Sequence, residues 1–190
     1  MVFFLLLLLV LSTLTIGYGA ILHRGLTRLE RDATAARDRV GAALGERHDE
    51  LSGLIEICQA QEAFDPRALA PLVLARNDES RARRAGNLMA LGRADALLRK
   101  ELVHAVSASD DCKPLASDPS FRHKVARIVR LEQQIARERA DYNAAAALYN
   151  ERLGQFPDNV LVGLVRFPQH RLLASAEVGE KPGDLRTLFV

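Results

Sequence analysis

Residues 121–156 read FRHKVARIVRLEQQIARERADYNAAAALYNERLGQF, and their spacing decides the fold. Phe121, Ile128, Ile135, Tyr142, Tyr149 and Phe156 fall seven apart over five intervals. Val125, Leu131, Ala145, Ala146 and Leu153 thicken the same stripe. A seven-residue apolar repeat held this long belongs to helices that pack at small crossing angles, as in a bundle or coiled coil. All six spaced residues are therefore expected to face a bundle interior. Ala144 to Ala147 keep helix propensity high and let a neighbouring helix come close. Ser117-Asp118-Pro119 starts the helix, and Phe156-Pro157 ends it, because proline disfavours helical geometry in the residue before it.

Upstream, Leu26, Leu29, Ala33, Ala36, Val40 and Ala43 recur at intervals of three and four. The stripe drifts to Leu44, Leu51, Leu54, Ile55 and Cys58, as in an almost straight helix. One long helix is predicted from about residue 24 to 61, open to continuation from the segment before it. Asp65-Pro66-Arg67 caps a second helix expected to run to about Ala108. Its middle, residues 75–86, is so polar that a solvated extension and a break both fit. Residues 107–120 read as a loop by composition. The tail beyond residue 176 is rich in glycine and charge and is expected to be flexible.

The N-terminal stretch VFFLLLLLVLSTLTIGYGAIL, residues 2–22, holds no charged side chain. About 21 residues at a 1.5 Å rise span roughly 31 Å, against ~30 Å of bilayer hydrocarbon. A cleaved leader would have a basic region before the apolar run and small residues at the cut, whereas Tyr18 stands where one is needed for a cut after Ala20. An uncleaved anchor is the expectation. Arg24, Arg28, Arg31, Arg37 and Arg39 crowd its C-terminal flank, which places that flank inside and the N-terminus outside. The sequence thus divides into a transmembrane anchor at 1–23, a helical-bundle domain at 24–176 and a flexible tail at 177–190. The fold class is all-α: a transmembrane helix followed by a long antiparallel bundle. A parallel coiled-coil oligomer is the structural alternative.

The remaining composition excludes several classes. The chain has 190 residues, is 48% hydrophobic and carries 26 Lys+Arg against 24 Asp+Glu, for a net charge of +2. That balance does not suit a dedicated nucleic-acid binder. Two cysteines, Cys58 and Cys112, cannot make a disulfide framework or a four-thiolate site, and two free thiols are expected. The five histidines never form a ligand-spaced pair, and Glu101-x-x-His104 occurs once, where a di-iron bundle needs it on two helices. No cofactor and no catalytic or metal-binding residue is assigned. The basic clusters Arg81 to Arg84 and Arg122 to Arg130 read as solvated faces paired with acids such as Glu79 and Glu132.

The run Ala136-Arg137-Glu138-Arg139-Ala140-Asp141-Tyr142-Asn143, then Tyr149-Asn150 and Phe156-Pro157, resembles the signature of the LemA family. That family has an Arg-x-x-Tyr-Asn on its last long helix, a second Tyr-Asn one heptad later and a Phe-Pro at the helix end. Its following small apolar segment corresponds to Val160 to Phe167. A further likeness runs through Glu46 to Ile55, with Gly53 near the position of the family's proline. The resemblance implies a single-pass membrane protein with a helical bundle, and it carries over no enzymatic activity or defined ligand.

Together these readings make the chain a membrane-anchored scaffold or protein-interaction module without catalytic activity. The alternative is a metal-dependent or other enzyme using the bundle core. The candidate structural or partner-contact residues are Arg139, Tyr142, Asn143, Tyr149, Asn150, Phe156 and Pro157. Asn143 and Asn150 are expected to set register across an interhelical seam, as buried asparagines do in coiled coils, with contact to a partner as the second reading. The expected partners are membrane lipid through residues 2–22 and an unidentified protein. Homo-oligomerisation is left open, and no nucleic acid is expected.

Overall fold

Residues 1–173 are described by a computed structural model of the chain. The tail expected at 177–190 lies outside the described residues, as do the last residues assigned to the bundle. Six helices follow one another: α1 Val2–Gln59, α2 Pro66–Arg84, α3 Leu88–Asp110, α4 Lys113–Ala116, α5 Pro119–Gly154 and α6 Asp158–Leu164. No strand occurs among the described residues.

The apolar N-terminal segment and the first amphipathic stripe form one unbroken helix, long and apolar enough in its first part to cross a membrane. The hydroxyls of Ser12, Thr13 and Thr15 donate to carbonyls of Leu9, Val10 and Leu11, so these hydroxyls are satisfied within the helix. Its large side chains, such as Phe3 and Leu9, are exposed.

The described chain forms two compact units, and each takes part of α1 and part of α5. One comprises Met1–Asp38 with Asp141–Leu172, and the other is built on Arg39–Ala140. In the second unit, α2, α3, α4 and parts of α1 and α5 enclose a core that includes Leu51, Leu54, Leu72, Leu98, Leu102, Leu115, Phe121 and Ile128. Ion pairs run from Lys124 to Glu50, Arg127 to Glu46 and Glu138 to Arg39. As residue numbers rise along α5 they fall along α1, so these helices are antiparallel. In the first unit Tyr149 and Leu153 pack on Leu26, with Leu29, Val162 and Phe167 against them.

Several boundaries correct the sequence reading. The second helix does not run to Ala108: it stops at Arg84, and α3 begins at Leu88. Gly86 makes the break with a φ of +64°, a left-handed conformation that a side chain disfavours. Asn87 then caps α3 by accepting from the Ala90 N–H. Up to Arg84 the polar stretch is helical and not merely solvated, since Ala75, Glu79, Ser80 and Ala82 are buried. Pro71 sits within the first turns of α2 and does not end it. The stretch 107–120 is not one loop, because α3 extends to Asp110 and α4 follows at once. Cys58 and Cys112 are buried free thiols in the second unit. Burial, reinforced by Cys112, pushes the Cys58 thiol up to about 11.

Of the six residues spaced seven apart, Phe121, Ile128, Ile135, Tyr142 and Tyr149 are buried. Phe156 is not: it is 81% exposed. The helix ends at Gly154, so the period that would have turned Phe156 inward no longer applies two residues later.

Candidate functional site: a buried charge cluster and a tyrosine–asparagine clamp

Core stripes of the second unit carry charges where apolar side chains are expected. Arg47 continues the series Val40, Leu44, Leu51, Leu54; Asp95 stands between Leu91 and Leu98; Glu79 stands between Ala75 and Ala82; Arg139 follows Ile135. Helical geometry therefore turns all of them inward. Arg47 is 1% exposed, Glu79 1% and Asp95 0%.

Their packing is compensating. Arg47 donates from Nη2 to Asp95 Oδ1 and from Nη1 to Glu132 Oε1, both at 2.6 Å. Arg139 Nη1 donates to Asp95 Oδ2 at 2.9 Å, and Arg99 Nη2 lies 3.0 Å from the same oxygen. Glu79 Oε1 approaches Arg47 Nη2 at 4.0 Å and has no hydrogen-bond partner. Three guanidiniums thus face three carboxylates drawn from α1, α2, α3 and α5. Burial opposes the charged form of Asp95, but Arg47, Arg139 and Arg99 outweigh it and hold the carboxyl at about 2. Glu79 goes the other way: its burial outweighs the pull of Arg47 and Arg83, and its affinity for a proton rises. Arg47 is likewise desolvated, yet Glu132 and Asp95 hold it more firmly charged than an ordinary arginine.

Among the predicted site residues, Arg139 joins this cluster. Glu79 and Glu132, read from sequence as partners of solvated arginine faces, belong to it too, which corrects that reading. The sequence reading did not single out Arg47 or Asp95. The signal was present, since a charged residue at a core position of an apolar stripe must find a partner or unfold the stripe.

Tyr142, Tyr149 and Asn150 meet in the first unit. Both tyrosines lie on the buried stripe of α5 one heptad apart, and what they meet is a segment without regular secondary structure, residues 166–172. The Tyr142 hydroxyl donates to the Arg171 carbonyl at 2.7 Å. Asn150 Nδ2 donates to the His170 carbonyl at 2.7 Å, and its Oδ1 accepts from the His170 N–H at 3.0 Å. The amide thereby satisfies both backbone groups of one residue, as a neighbouring strand would. The His170 ring stands edge-on to Tyr149 at 5.1 Å between centroids. Tyr149 is fully buried, and desolvation, reinforced by Glu30, pushes its hydroxyl up to about 12. Asn143 is half-buried on the same flank and is also engaged. For Asn150 the expected interhelical role is corrected: it holds a returning chain segment and not a second helix.

Phe156 and Pro157, joined by a cis peptide, form the turn into α6. Arg152 Nε pairs with the buried Asp158 at 2.7 Å just beyond the turn. Among the described residues no group of three or more His, Cys, Asp or Glu side chains is placed to hold a metal ion.

The family profile described as the LemA family matches residues 36–183. Two proteins of Paramagnetospirillum magneticum are similar to this chain, magnetosome protein MamQ 2 and magnetosome protein MamQ 1. Each is 28% identical to it over 104 residues, which cover 55% of this chain and 38% of theirs. The match thus spans well under half the length of these relatives.

Proposed function

This chain belongs to the LemA family, and we propose that it is a membrane-anchored helical scaffold that presents a bundle to a protein partner. In this reading residues 1–23 are the anchor, residues 24–176 the bundle domain and residues 177–190 a tail. The N-terminus lies outside and the domain lies on the cytoplasmic side. One observation carries the proposal: α1 is a single helix from Val2 to Gln59, with exposed apolar residues at one end and bundle-forming residues at the other. Such a helix leads from the apolar segment into the bundle without an intervening loop. The chemistry of the buried charges supports the same reading. Asp95 and Glu132 are saturated by guanidiniums, which suits them to fixing a fold better than to turning over a substrate. In this reading Arg139 belongs to the charge cluster that ties the second unit together, while Tyr142, Asn143, Tyr149, Asn150 and the Phe156-Pro157 turn are the structural frame of the first.

Orientation is tested by adding protease to intact cells. The bundle should be spared until the membrane is permeabilised, and its digestion in intact cells would reverse the topology. Elemental analysis of the purified chain tests the enzyme alternative, since stoichiometric zinc or iron would favour a metal-dependent activity over a scaffold.

A further inference from the structure

In the second unit arginines such as Arg47, Arg99 and Arg139 are committed to carboxylates, whereas Arg24, Arg28 and Arg31 beside the apolar segment are not. Arg24, Arg28 and Arg31 are exposed and enter no ion pair among the described residues, although Asp32 lies along the same groove with His23 and Thr27. Their spacing of four and three places them on one side of α1, turned away from the Leu26, Leu29 and Ala33 stripe. At 1.5 Å per residue, Arg24 and Arg28 stand about 3 and 9 Å beyond Leu22, and Arg31 about 13 Å. A headgroup layer is roughly 5–8 Å deep. Helical side chains lean toward the helix N-terminus, so all three arginines lean back toward that layer.

The other side of the same level is apolar. Tyr149 and Leu153 pack against Leu26, so the antiparallel course of α5 brings Phe156, three residues on, to about the level of His23. Phe167 of the returning segment lies at the same level, with its ring 5.8 Å from that of His23. Phe156 is 81% exposed and Val160, on the next helix, 59%. An exposed phenylalanine at the end of a bundle lacks a reason in water and gains one at a bilayer surface, where an aromatic ring sits among the headgroups.

We propose that the end of the first unit nearest the apolar segment is an anionic-lipid docking surface: Arg24, Arg28 and Arg31 bind phospholipid phosphates while Phe156 and Val160 enter the interface. The surface belongs to the same bilayer that residues 2–22 enter, so the proposal rests on the anchor reading above. Its effect is to fix the height and tilt of the bundle above the membrane, which the span alone leaves free.

The chain contains no tryptophan, so Phe156→Trp supplies a single reporter. The full chain carrying it is placed in nanodiscs of phosphatidylcholine, with and without phosphatidylglycerol. Its emission should shift to the blue and be quenched by lipids brominated near the glycerol. Water-like, unquenched emission from a chain that remains in the nanodisc would overturn the apolar half of the proposal. Failure of the chain to enter nanodiscs at all would instead overturn the anchor reading. For the cationic half, competition between spin-labelled phosphatidylglycerol and phosphatidylcholine should favour the anionic lipid. Each of Arg24→Gln, Arg28→Gln and Arg31→Gln should reduce that preference, by up to about fivefold. An unchanged preference in the triple variant would overturn it. Inorganic phosphate should leave the bound phosphatidylglycerol in place, and displacement would reassign the groove to a soluble phosphate compound.

Discussion

Asp95 shows how a single residue can hold several elements. It lies on α3 with no exposed surface and receives Arg47 from α1, Arg139 from α5 and Arg99 from its own helix. Removing its charge leaves those guanidiniums under-compensated in a dry interior. Asp95→Asn should therefore cost about 3–5 kcal/mol in urea unfolding of the chain in detergent. Its folded-state acidity, at about 2, lies below that of an unfolded aspartate. The stability it contributes is then present above the unfolded value and is lost as pH falls from about 4 toward 2. Wild type should lose stability through that window, and the Asn variant should lose less. Glu79 has the opposite sign, because burial raises its proton affinity and Oε1 has no hydrogen-bond partner. Because its carboxylate is less well compensated, Glu79→Gln should cost less at neutral pH than Asp95→Asn. A loss as large as that of Asp95→Asn would contradict this difference. At this scale the sequence was only partly legible. Arg139 was singled out through its neighbours, but Asp95 and Arg47 passed unnoticed, because an inward charge declares itself only when the stripe is followed residue by residue.

At the scale of elements, α5 was the most legible part of the chain. Five of its six heptad positions are buried, and the sixth fails where the helix ends. Truncating Ile135 to Ala should cost about 2–5 kcal/mol through lost transfer energy and a cavity. Phe156→Ala should stay within about 0.5 kcal/mol, as at other exposed positions. The break between α2 and α3 was harder to place. Composition marked a wide polar window, but one backbone angle at Gly86 makes the turn, and the arginines and acids before it are helical formers whose burial depends on partners far away in sequence. Gly86→Ala should destabilise by about 1 kcal/mol, since alanine tolerates a positive φ poorly. Gly41→Ala, within α1 with open space at the added methyl, should stabilise by up to about 1 kcal/mol. The two glycines thus make opposite predictions in the same unfolding measurement. The Tyr-Asn repeat was legible as a pattern, and Tyr149 does pack on Leu26 of α1, but Asn150 holds the backbone of His170 in place of a second helix. The segment it holds has no periodicity of its own, so the sequence did not announce that contact.

Over the whole molecule, all-α architecture and family membership could be read from spacing and motif, because both are written in local repeats. The two-unit division and the buried charge cluster could not, because they depend on which distant stripes meet. What joins these levels is α1, whose apolar beginning is exposed and whose continuation builds both units. The central claim is that residues 2–22 lie in a bilayer and anchor everything that follows. The most direct measurement is alkaline extraction of membranes carrying the chain, followed by sedimentation. Burial of an uncharged, largely apolar segment of about 21 residues is independent of surface charge and pH, so the chain should remain in the pellet through high salt and alkali alike. Its release into the supernatant by alkali would contradict the anchor, and with it the membrane scaffold that α1 is proposed to build.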